Sequence, residues 1–268
     1  MIGFAETFGA ILGSFLLPAF VALLIISAAA RYLRPMYLAA FAIGLYLWFF
    51  SDTIGDASLL GVSEGFTGGV WHVALWLCFA IGLLLLVSLD KSTFAQGSAG
   101  ESFGFTIPVL AAVAVGLHGF GEGAAIGAVA ATTHGTNLPD AFGGLPAAGA
   151  FILHKSLEPM MVGAAYWVYA RDHARDTNGR LKDLLVLTLA FTLPGIFGGA
   201  TAYYFVQIYP SADYTYAFAL GLGASLYAAV RLARPLFQTS GSSSESIKMA
   251  LFMLLGFACL YLAASLHS

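Results

Sequence analysis

Eight stretches of about 20 or more mostly apolar residues, each long enough to cross a bilayer, are the strongest constraint on this chain. They fall at roughly 7–30, 36–55, 69–89, 105–131, 143–170, 183–209, 213–232 and 247–266. In lipid every backbone amide and carbonyl must be satisfied within the protein, which restricts spanning segments to helices or a closed barrel. Short runs of strict alternation, the mark of a barrel, are missing, so helices are expected. The 268 residues are 59% hydrophobic and 9% charged, with a mean hydropathy of +0.85, which excludes an ordinary soluble domain. The expected architecture is an all-α integral membrane protein with residues 1–268 forming a single transmembrane domain. The first run follows Glu6 with no Lys or Arg ahead of it, and is read as a retained span rather than a cleaved signal. Pro194 and Gly195 predict a kink in the sixth span. Cys78 and Cys259 lie inside apolar runs and read as small packing residues, neither a disulfide nor a thiolate site.

Charge orients the spans. Arg31 and Arg34 follow the first span, Lys91 the third, Arg171, Arg175, Arg180 and Lys182 the fifth, and Arg231, Arg234 and Lys248 the seventh. These are ten of the 11 Lys and Arg residues, and the opposite side has none. Under the positive-inside rule those loops are cytoplasmic and both termini are extracytoplasmic. Loop 171–183 reads as a solvated turn, and Ser240 to Ser246 as a flexible polar link. The outer side carries Asp52, Asp56, Glu64, Asp140 and Asp213, with His72 and His134 nearby. This pattern is expected wherever basic residues are kept inside. Asp52, Asp56, His72, His134 and Asp140 are also candidates for an outer entry that attracts cations. No basic patch with interleaved aromatics exists, so nucleic acid is not an expected partner.

The eleventh cation, Lys155, lies inside the fifth span beside the residues that matter most. His118 and Glu122 are four apart in the fourth span, and His154 and Glu158 repeat the spacing in the fifth. Residues four apart share a helix face, so each span offers an imidazole beside a carboxylate. At 1.5 Å per residue, His118 and Glu122 stand about 20 and 26 Å from the cytoplasmic end of their span, and Glu158 and His154 about 18 and 24 Å from theirs. Antiparallel packing levels the two pairs near mid-membrane, where ionisable residues are costly and usually functional. Imidazole nitrogen and carboxylate oxygen suit zinc, and iron, manganese or cadmium accept the same donors. Gly116, Gly119, Gly121 and Gly123 around the first pair permit close helix approach.

His118-Gly119-Phe120-Gly121-Glu122-Gly123 resembles the H-N-x-x-E-G signature in the fourth span of the ZIP family of divalent metal transporters. His154-Lys155-Ser156-Leu157-Glu158 resembles the H-[DEN]-x-x-E signature of its fifth. The resemblance implies a 3+2+3 bundle whose first and last three spans are related by inverted symmetry, with spans four and five lining the metal path. It also implies transport toward the cytoplasm, often as a homodimer. Many members hold two metals, and the second-site positions here read Gly119, Lys155 and Leu193. An ammonium there can bridge Glu122 and Glu158 and repel another divalent ion, which predicts a mononuclear site.

The expected function is transport of divalent metal ions, zinc foremost, through His118, Glu122, His154 and Glu158, in a multi-pass protein of the cell membrane and not an enzyme. The metal is substrate, and the expected partners are metal ions, the bilayer and a second copy. Two other readings compete. One is an intramembrane metal-dependent hydrolase in which a glutamate serves as general base, Ser156 is available and Lys155 stabilises an oxyanion. The other is a metal-binding membrane protein that does not transport.

Overall fold

The computed structural model describes residues 2–63, 70–91, 104–132, 139, 144–173, 176–206, 214–238 and 243–265. Eight long helices account for nearly all of them: α1 (Phe4–Ala29), α2 (Pro35–Ser63), α3 (Val70–Lys91), α4 (Thr106–Thr132), α5 (Leu145–Asp172), α6 (Thr177–Phe205), α7 (Tyr214–Gln238) and α8 (Ser243–Ala264). There is no strand among the described residues, and the protein is an all-α, multi-pass membrane protein.

Seven helices are long and apolar enough to cross a membrane on composition alone. The exception is α5, whose 28 residues include His154, Lys155 and Glu158. Those three residues face inward and are buried, so the polarity of α5 is hidden by its neighbours rather than presented to lipid. Contacts at the two ends set its direction. At one end, Tyr203 of α6 donates to the Ile2 carbonyl at 2.7 Å, and the Ile2 amide donates to Ala130 of α4 at 3.2 Å. At the other, Arg171 at the end of α5 donates to the Leu33 carbonyl at 2.6 Å, and Arg34 pairs with Glu245 of α8 at 3.3 Å. The start of α1 therefore meets the ends of α4 and α6, while its far end meets the ends of α5 and the start of α8. Helix α5 traverses the bundle antiparallel to α4.

The most extensive helix contact joins α4 and α6, and glycines bring the two backbones together there. A Cβ built on Gly123 would collide with the Gly195 carbonyl, and one on Gly127 with the Gly199 carbonyl. Each helix thus presents two glycines four apart to the other, the small-residue spacing that allows close approach in lipid. Pro194 does not break α6 into two helices. Its missing amide leaves the Ala190 carbonyl without its usual helical donor, and that carbonyl lies where a Cβ on Gly116 would meet it at 2.5 Å. The same device recurs further out. Gly44 of α2 and Gly256 of α8 meet each other's helix backbone, as do Gly82 of α3 and Gly223 of α7.

Two polar segments differ from expectation. The 171–183 connection is short, because α5 continues to Asp172 and α6 starts at Thr177 with the Asp176 side chain accepting from the Gly179 amide at 2.8 Å. N-capping converts what reads as a turn into the first turns of a helix, and it buries Asp183 at the bundle end, where Tyr166 donates to it at 3.2 Å. The serine-rich link is shorter too, since α8 begins at Ser243 with Glu245 in its first turn, an acidic placement that favours a helix start.

These contacts generate a paired test. Gly123→Ala places a methyl against backbone that cannot rotate away, whereas Gly13→Ala meets nothing within 4 Å. The first substitution is expected to destabilise the detergent-solubilised protein by about 1–3 kcal/mol and the second by none, read from thermal unfolding midpoints.

Candidate metal centre

Helices α4 and α5 bring the two sequence motifs together in the core. One ligand atom each from His118, Glu122 and Glu158 lie within 4.8 Å of one another. His118, His154, Lys155 and Glu158 are all at most 2% exposed, and the Glu122 side chain retains 15%. Burying so many ionisable groups is tolerable only because they pair. Lys155 Nζ lies against Glu122 Oε2 and sits 2.6 Å from Glu158 Oε2. The other oxygen of Glu158 is 3.0 Å from His154 Nε2, and the other oxygen of Glu122 is 3.7 Å from His118 Nε2. The result is a chain of groups, His118–Glu122–Lys155–Glu158–His154, that crosses from α4 to α5 and is held at its centre by the ammonium.

The four expected ligands are thus not equivalent. His118, Glu122 and Glu158 form one compact group, while His154 stands behind Glu158 and engages it directly. Zinc holds tetrahedral ligands at about 2.0–2.2 Å, which puts them about 3.4 Å apart, so the group would need to contract around an ion. With both imidazoles neutral, two carboxylates and one ammonium carry −1 before an ion enters.

The three positions where the resemblance implied a second-site difference have distinct surroundings. Lys155 fills its position with positive charge. Beside it, a Cβ on Gly119 would meet the Phe15 ring at 3.2 Å, and Lys155 Nζ lies 5.2 Å from the centroid of that fully buried ring. Leu193 is 52% exposed on the outside of α6, lining an apolar groove with Phe8, Phe120 and Phe197. Among the candidate entry residues, Asp52 is partly buried in α2. Asp56 and His72 fall within α2 and α3 with side chains outside the described part, and His134 and Asp140, like Glu64 and Asp213, lie outside the described residues.

Residues that the motif reading does not identify complete the surroundings of His118. Thr53 Oγ1, fully buried on α2, is 3.2 Å from His118 Nδ1. Phe49 and Phe218 hold the imidazole from two sides at centroid distances of 4.7 and 5.1 Å. Gly221 of α7 runs against the His118 backbone, so close that a Cβ there would meet its amide nitrogen at 2.8 Å. A threonine in an apolar helix carries little sequence signal, and its partner lies 65 positions away.

No protein-family model matches the chain, and comparison with curated proteins likewise gives no match.

Removal of the central ammonium exposes how the site is balanced. Lys155→Met leaves Glu122 and Glu158 facing each other without a counterion, a change expected to cost about 3–5 kcal/mol. The thermal midpoint of the metal-free variant should fall, and added Zn2+ should raise it by more than it raises that of the unmodified protein, because the ion replaces the missing positive charge.

Proposed function

We propose that this chain carries divalent metal ions across a cell membrane toward the cytoplasm, as a mononuclear member of the ZIP kind with zinc as its foremost substrate. The observation that carries the reading is the convergence of His118, Glu122 and Glu158 to within 4.8 Å in the interior of a helical membrane protein. Imidazole and carboxylate donors at that spacing suit a borderline divalent ion, and a buried site between helices is where transporters bind their substrates.

The packing supports the 3+2+3 arrangement. Exchanging α1, α2 and α3 with α6, α7 and α8, and α4 with α5, maps the principal helix contacts onto one another. The α4–α6 contact corresponds to α5–α1, α2–α8 to α7–α3, and α4–α7 to α5–α2. Internal repeats of this kind are a recurrent basis for alternating access. On this reading both termini lie outside, α5 crosses the membrane with the other seven helices, ions enter from the acidic outer face, and a second copy completes a homodimer.

An entering ion meets Lys155 first as a competitor. Both the ion and the ammonium seek the oxygens of Glu122 and Glu158, so binding requires Nζ to withdraw or the carboxylates to turn. The same cation, together with the Phe15 ring, disfavours a second metal beside the first. Release toward the α5–α6 connection requires another rearrangement, because α5 below Glu158 is packed with buried side chains down to Tyr166 and its Asp183 partner. Downhill ion flux is the simplest driving force.

A second reading draws on the grouping of three rather than four ligand atoms. Three protein ligands leave a coordination position that a hydrolase would fill with the attacking water.

Uptake of Zn2+ or Cd2+ into proteoliposomes separates the two. The unmodified protein should load vesicles, and His118→Ala should reduce uptake to the background of empty vesicles. Lys155→Asp should raise bound metal from about one ion per chain to about two, consistent with a carboxylate supplying a ligand where the ammonium repels one. Tight binding without uptake, accompanied by cleavage of lipid or peptide, would favour the hydrolase.

A further inference from the structure

The two histidines look interchangeable in sequence, but their hydrogen bonds differ. His154 Nε2 is 3.0 Å from Glu158 Oε1. An ionised carboxylate only accepts, so that nitrogen carries the hydrogen and donates it. His118 Nε2 is 3.7 Å from Glu122 Oε1, beyond the about 2.7–2.9 Å of a charge-assisted hydrogen bond. Its hydrogen-bonded nitrogen is instead Nδ1, which faces Thr53 Oγ1 at 3.2 Å.

The donor in that contact follows from the backbone. Thr53 Oγ1 is also 2.8 Å from the Phe49 carbonyl, one turn back on α2, and a carbonyl oxygen can only accept. A hydroxyl has one hydrogen, and here it is committed to Phe49. The oxygen therefore meets His118 with a lone pair, and His118 Nδ1 must supply the hydrogen. In the neutral ring that leaves Nε2 with a bare lone pair toward Glu122 and Glu158. Thr53 is fully buried and His118 is 1% exposed, so both groups are shielded from bulk water. Phe49 therefore acts twice, through its carbonyl on the threonine and through its ring, which meets the imidazole in a T-shaped contact with centroids 4.7 Å apart.

We infer that Thr53 is a positioning residue that fixes His118 as the Nδ1–H tautomer and so presents Nε2 as the imidazole ligand of the metal site, whereas His154 orients Glu158. The inference rests on the metal-site reading for its functional meaning, and on the Thr53 geometry alone for the tautomer. Metal-bound histidines depend on such outer hydrogen bonds for orientation and basicity. Here the partner comes from α2, a helix outside both motifs, so ligand geometry depends on where α2 stands relative to α4.

The test uses the 268-residue chain in lipid nanodiscs with 15N-labelled histidine. The metal-free His118 signal, assigned by its loss in His118→Asn, should show hydrogen on Nδ1 and a bare Nε2. Thr53→Val should abolish that preference and weaken Zn2+ binding, measured by chelator competition, by about 10–100-fold. Thr53→Ser keeps the hydroxyl and should retain both the tautomer and affinity within about threefold of the parent, given the same outer hydrogen bond. A parent spectrum with hydrogen on Nε2 would overturn the inference, as would a folded Thr53→Val variant with parental affinity or a serine variant that behaves like valine. Failure of the parent to bind Zn2+ would refute the metal reading, while its spectrum would still decide the role of Thr53. Should the valine variant not fold, the parent spectrum and the serine variant decide it.

Discussion

The pairing of Lys155 with Glu122 and Glu158 is the interaction on which the interior depends. An isolated ammonium or carboxylate in the core of a membrane bundle would be prohibitive, whereas a cation shared by two anions on neighbouring helices offsets much of the desolvation. The arrangement also ties α4 to α5 at mid-height, where small apolar side chains would leave little to hold them in register. Because α5 is the least apolar of the eight helices, its position within the bundle is inseparable from this pairing. The charges require burial among partners, and the partners require α5 to sit inside.

The glycines make that interior possible. Helices α4 and α6 touch through carbonyls and glycine Cα atoms, which places α4 closer to its neighbour than any side chain would permit. The same closeness brings α7 against His118 at Gly221 and lets Phe218 reach the imidazole. Site geometry and helix packing are therefore one problem. The residues that carry no chemistry set the distance between those that do.

On the metal-binding reading, the cation buried among the candidate ligands gives the site two states that exclude one another. With the ammonium in place the carboxylates are satisfied and the interior is stable without an ion. With a divalent ion in place, the ammonium must find other partners, and the Phe15 and Phe151 rings, at 5.2 and 6.0 Å from Nζ, supply polarizable faces nearby. On the transport reading, exchange between the internal ammonium and an external ion keeps the site from being either empty or permanently filled. It also limits how tightly an ion is held.

How much of this was legible in the sequence varies with the range of the interaction. Helix number and class followed from the apolar runs, because the bilayer leaves a backbone few alternatives. The spacing of His118 with Glu122 and of His154 with Glu158 placed each pair on one face, since the helical repeat is local. The helix starts at Thr177 and Ser243 were missed because their polar clusters read as loops, although the Asp176 cap on the Gly179 amide and Glu245 in the first turn of α8 are local features. Only the assembled bundle distinguished the histidines and placed Phe15 beside Lys155. Only the bundle brought Thr53 to His118 across 65 positions. The sequence by itself determined which residues share a helix face. The tertiary structure decided which faces meet, because that depends on packing and electrostatic pairing between helices far apart along the chain.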